Sequence, residues 1–123
     1  MTIRQAIDEV CLYVANSMDE GWMIKQLSRC ESALYITIIQ VYKPETEPFE
    51  GFREDTPDET VLLVGEPHDV LYVRWLEAQI HYVNGDIDRY NNAITMFNAE
   101  VQAFRREYAR TAAVSSRGQR FRF

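Results

Sequence analysis

The stretch VLYVRWLEAQIHYVNGDIDRYNNAITMFNAEVQAFRREY, residues 70–108, decides the fold. In its first part Val70, Tyr72, Val73, Leu76, Ile80 and Val83 mark a helix, opened by Glu66-Pro67-His68-Asp69. In its second part Ile87, Tyr90, Ile94, Phe97, Val101, Phe104 and Tyr108 step by three and four in alternation. That is an a/d stripe of three heptads, predicting a helix from Ile87 to about Arg110. Between them Asn84-Gly85 is a C-cap signal and Asp86 a fresh N-cap. A break this short makes the two helices an antiparallel hairpin.

Upstream, residues 3–14 read as a short helix, with Thr2 as N-cap and Ile3, Ala6, Ile7, Val10 and Val14 at helical spacing. Ser17-Met18-Asp19-Glu20 fits a capping box for a longer helix to about Val41. Met23, Leu27, Cys30, Leu34, Ile38 and Val41 form its stripe. Its β-branched end, Leu34 to Ile39, has strand propensity, yet the stripe crosses it without a turn signal. Residues 43–60 hold three of the four prolines, Gly51 and many acids, the composition of a loop or long hairpin. The apolar run Val61–Val64 is one strand or a buried extended segment, with Phe49 and Phe52 as the possible other arm.

The expected fold is therefore mainly α. It is a compact bundle of about four helices with a central acidic loop or short β-hairpin and an extended C-terminal tail. Residues 1–110 form one helical domain, and 111–123 a flexible basic tail that reaches on the order of 40 Å when fully extended.

At 123 residues and 46% hydrophobic, the chain can bury one core and is too apolar to be disordered. No run is long and apolar enough to span a membrane, and residues 1–10 lack the pattern of a signal peptide. Cys11 and Cys30 sit in helical patterns, so a reducing cytosol is expected. The net charge of −6 is unevenly spread. Residues 105–123 carry six Arg against Glu107, a net of +5, which leaves −11 for residues 1–104. Tyr42–Asp69 holds nine acids against Lys43 and Arg53, a net of −7. An acidic middle and a basic end are complementary patches.

No phosphate loop, nucleophile elbow or Cys-x-x-Cys is present, so no catalytic residue, metal site or cofactor is expected. The one metal-like constellation, Glu66, His68, Asp69, Glu77 and His81, reads more simply as a solvated helix face and a capped helix start. Cys11 and Cys30 read as small hydrophobes. Trp75 is either hairpin packing or an exposed contact anchor. Asn91, Asn92 and Asn98 flank the last stripe, where a buried Asn fixes register between helices. Gln119-Arg120-Phe121-Arg122-Phe123 alternates as a strand does, a pattern suited to docking on a partner's sheet edge.

The run from Val61 to Asn92, continuing into Met96-Phe97-Asn98, resembles a family of small tailed-bacteriophage proteins described as head–tail connectors or adaptors. There an apolar LLV, a Pro and an Asp precede LY…YLEAQI, a short Asn-Gly turn and RYNN…FN. The resemblance covers roughly residues 17–110, and Lys25-Gln26-Leu27 stands where the family has a Trp-Leu pair. It implies a non-enzymatic virion protein, made in the host cytoplasm, that forms a ring of commonly twelve subunits beneath the portal. Implied partners are the portal protein, a stopper or tail-completion protein and further copies of itself, with DNA only passing through and no membrane. On that reading Arg117, Arg120, Phe121, Arg122 and Phe123 are the portal-docking tail. Glu45, Glu47, Glu50, Glu54, Asp55, Trp75, Arg105 and Arg106 are then subunit-interface or lumen candidates. The competing expectation is a soluble acidic helical adaptor or assembly chaperone of the infected cell.

Overall fold

The computed structural model describes the backbone of residues 1–120 and the side chains of residues 1–113. Helices α1 (Ile3–Tyr13) and α2 (Glu20–Leu34) come first, then a π turn (Tyr35–Ile39) and a single turn α3 (Gln40–Tyr42). Then come α4 (Val70–Val83) and α5 (Ile87–Arg120). Because α2, the π turn and α3 are continuous, the bundle has four rods.

The centre is α4. Its sequence is apolar on nearly every side, and Leu71, Tyr72, Val73, Leu76, Ala78, Ile80 and His81 are all buried. Three rods surround it. The first, α1, runs parallel to it, with the N-terminal amine 3.8 Å from Asp69 and Tyr13 beside His81 and Asn84. The second, α2, runs antiparallel, so that Glu31 meets Tyr72 and the Gln26 carbonyl accepts from the Trp75 indole at 2.9 Å. The third, α5, is also antiparallel: Tyr90 packs on Tyr82, Phe97 on Trp75 and Phe104 on His68.

Local chemistry sets the helix ends. Thr2 caps α1 in a reciprocal box with Gln5. The cap of α2 is Asp19, whose carboxylate accepts from the Trp22 N–H at 2.7 Å, in place of the expected Ser17 box. Gly85, at φ +75°, supplies the left-handed turn between α4 and α5, and the Asp86 carboxylate accepts from the Arg89 N–H.

The β-branched run Tyr35–Ile39 stays helical and widens into the π turn, with the Thr37 hydroxyl donating to the Ala33 carbonyl. A π turn shifts the helical phase of the residues after it, as one inserted residue does. Ile38 and Ile39 are buried side by side, and Val41, the last member of the expected stripe, is turned out and 60% exposed.

Two features of the expected fold are corrected. First, no strand or hairpin forms among the described residues. Residues 61–64 lie extended, but their partner is the chain's own beginning, through an isolated antiparallel bridge from Thr2 to Val61. The Leu62 N–H goes to the Met1 carbonyl, that of Leu63 to Glu31 and that of Val64 to the Tyr72 hydroxyl. With one of those donors met by the Met1 carbonyl and two by side chains, no second strand is needed. Phe49 and Phe52 pack on each other instead, and Phe49 stacks on Tyr35. Second, the tail is not extended over Thr111–Arg120, because α5 runs through it. The Thr111 hydroxyl donates back to the Glu107 carbonyl, and Ala112 and Ala113 are strong helix formers. Of the strand-like alternation, Gln119 and Arg120 are helical, and Phe121–Phe123 lie outside the described residues.

Candidate functional site

The exposed surface divides into four regions. The longest is α5, a 34-residue helix along which Ala93 is the one buried residue among the described side chains. Its stripe packs on α4 and, through Tyr108, on Tyr42 of α3, but is only half covered. Its outer face from Asn91 to Gln102 carries amides, Thr95, Met96 and Ala99, with no charge. The one charge in that span, Glu100, turns inward to His68 at 3.8 Å. Toward its C-terminal end the helix becomes basic. Arg106 and Arg110 are exposed, and half-buried Arg105 reaches the Thr37 carbonyl at 3.4 Å.

The second region is the acidic loop. Glu45, Glu47, Glu50, Glu54 and Asp55 are all exposed, and the loop is tied down by its aromatics and by the Phe52 N–H donating to Ser28. The third is the α4–α5 tip, where Tyr82, Val83 and Ile87 are each more than half exposed. It borders a hollow of about 490 Å³ whose polar groups are Glu77, His81, Asn84, Asp86 and Arg89. The fourth is a groove of about 460 Å³ along α1, lined by Gln5, Asp8, Glu9 and Leu12 and closed by Met1, Glu66 and Asp69.

The metal-like constellation does not converge. His68 and His81 lie at opposite ends of α4, 13 residues and about 20 Å apart along the helix. His68 pairs with Glu107, and His81 faces Glu77 at 3.8 Å. Among the described residues no group of three His, Cys, Asp or Glu side chains is close enough to hold a metal ion. Cys11 is exposed, and Cys30 is buried in the core, where desolvation pushes its thiol well up. Trp75 is half-buried between Gln26 and Phe97. Asn91, Asn92 and Asn98 are all exposed rather than buried in a register-setting contact. Arg117 and Arg120 lie on the last turns of α5, while Phe121, Arg122 and Phe123 are outside the described residues.

Compared with family models, curated proteins and solved structures, the chain matches none.

The feature that sequence reasoning missed is Glu31. Its carboxylate is 2% exposed and accepts from the Tyr72 hydroxyl at 2.6 Å and the Leu63 N–H at 2.8 Å. Desolvation raises its pKa, and the two hydrogen bonds oppose the rise. Tyr72 is pushed up by its own burial and by the neighbouring Glu31. The signal was available: position 31 is four residues past Leu27 and three before Leu34, on the stripe face, where a carboxylate needs a buried partner. The network locks α2, α4 and residues 62–64 together. All its groups are internally satisfied, so it is a structural clamp.

Proposed function

We propose that the protein is an acidic helical adaptor, which acts by holding other proteins in register and not by catalysis. The observation that carries this reading is α5, a 34-residue helix laid along the outside of the core with one buried residue among its described side chains. One side of this helix packs on α4, and the other offers a long open surface. An uncharged outer face that ends in arginines is suited to a protein contact, since charge is what interface centres lack and Arg is what they favour.

The narrower proposal within this class is the phage head–tail connector, supported by the sequence pattern from Val61 to Asn98. It assigns the virion as the location, the portal and a stopper as partners, and a homo-oligomeric ring through which DNA passes. The experiment is the copy number of the protein relative to portal protein in purified virions, by quantitative mass spectrometry. A ratio near one to one supports the connector. A ratio near zero removes it and leaves the adaptor or chaperone of the infected cell, whose test is then a stable complex with one assembly protein in infected-cell extracts. If the protein forms a stoichiometric complex in neither place, the adaptor reading fails.

A further inference from the structure

The groove along α1 is apolar at its exposed end and acidic along its sides. Leu12 is 82% exposed within it and supplies the apolar surface there. Of its four carboxylates, Asp8 pairs with Arg4 and Asp69 with the N-terminal amine. Glu9 and Glu66 meet no cation among the described residues. The groove therefore fits a short segment that carries both Arg and a large apolar group.

The chain holds such a segment. Arg117-Gly118-Gln119-Arg120-Phe121-Arg122-Phe123 has three arginines, two phenylalanines and no acid. Its position in the fold decides which copy it serves. Thr111 of α5 shares a small cavity with Gly65 and Glu66, at the mouth of the chain's own groove. Nine more helical residues then carry α5 to Arg120, roughly 14 Å further on. A straight helix carries its basic end past the groove and not back into it. Groove mouth and basic end thus lie at the same end of the molecule. Two copies that face each other across a two-fold axis satisfy both contacts at once. We propose that the protein forms a two-fold dimer in which the basic end of α5 of each copy lies in the α1 groove of the other.

The contact is electrostatic, with Glu9 and Glu66 as its acidic side and Arg117 and Arg120 as its basic side. It goes beyond the adaptor reading, and fails or stands separately from it. The test is sedimentation velocity of the full-length chain at low salt over a range of concentrations. The expected result is a monomer–dimer equilibrium. Glu9→Lys with Glu66→Lys weakens it by roughly tenfold or more, and Arg117→Glu with Arg120→Glu weakens it equally. An equimolar mixture of the two reversed proteins then dimerises again, because each arm meets a groove of opposite sign. Helical circular dichroism checks each variant, and Glu66→Lys alone replaces the double change if that one unfolds. A monomer at every concentration overturns the proposal. So does a dimer that neither reversal weakens, or a mixture that stays monomeric. A species larger than a dimer overturns it in favour of a head-to-tail ring.

Discussion

The two long helices of the hairpin, α4 and α5, carry the same kind of apolar repeat and have opposite fates. Seven residues of the 14 in α4 are buried, against Ala93 among the described side chains of α5. Spacing says which way a helix faces. It leaves open how many neighbours cover that face. In α4, apolar residues also fill positions off the stripe, Leu71 and Ala78 among them, so α1, α2 and α5 can all pack against it. In α5 the positions off the stripe are mostly polar or small, Asn, Asp, Arg, Glu, Gln, Thr and Ala with Met96, so one side is covered and the rest is surface. The packing of α5 is thus one-sided: its stripe covers α4, and its outer face is left free for a partner.

A matched pair of truncations tests this difference between α4 and α5. Leu76 is fully buried at the centre of α4, and Leu76→Ala is expected to cost about 3 kcal/mol. Val101 lies on the half-covered α5 stripe, and Val101→Ala is expected to cost about 1 kcal/mol or less. Urea denaturation of both variants measures the difference. Equal losses would mean that α5 belongs to the core, and the argument for its surface role would go with it.

The second effect concerns the clamp that holds α4 in place. Glu31→Ala leaves the Tyr72 hydroxyl and the Leu63 N–H without their acceptor and is expected to cost about 2–3 kcal/mol. The same carboxylate gives stability a pH dependence. Burial raises its folded pKa above the unfolded value. Between those two values the folded chain holds the proton more tightly than the unfolded one. Glu31's contribution is therefore lost as pH rises through that window, and it is flat above it. Urea midpoints from acidic to neutral pH should show this fall in the wild type and not in Glu31→Gln. A contribution that rises with pH instead would mean that the hydrogen bonds outweigh the burial.

How much of this was legible in the sequence depends on the range of each interaction. The Thr2 cap, the Asn84-Gly85 turn and the Asp86 cap are written within a few residues of where they act and are found in the structure, and the stripes of α2, α4 and α5 face the core except at their ends, where Val41, Val83 and Ile87 are exposed. The Glu31–Tyr72 clamp joins residues 41 apart, and the Thr2–Val61 bridge joins residues 59 apart. Those partners are chosen by the packed fold, which is why Val61–Val64 invites a hairpin that does not form. The helical end of α5 is hidden for a different reason. The alternation of Arg and Phe reads as strand, although Ala112 and Ala113 already favour continuation of the helix. Of the candidate site, charge and exposure were legible in the acidic loop and in Arg106, whereas the groove along α1 needs residues 1–12 and 66–69 brought together.

The smallest effect tests the outer face of α5 itself. Asn98 is exposed on a helix whose core contacts it does not share. Asn is a poorer helix former than Ala, so Asn98→Ala should raise stability by about 0.5 kcal/mol. A free surface selected only for folding has no reason to keep three such residues within eight positions. If Asn98→Ala stabilises the isolated protein and weakens its complex with a partner, the amides are held there by binding. If it stabilises the protein and every complex is unchanged, the uncharged face of α5 is plain surface, and the contact must lie with the basic end alone. Thermal unfolding of the variant beside the wild type gives the first half of that comparison, and titration of the purified partner gives the second.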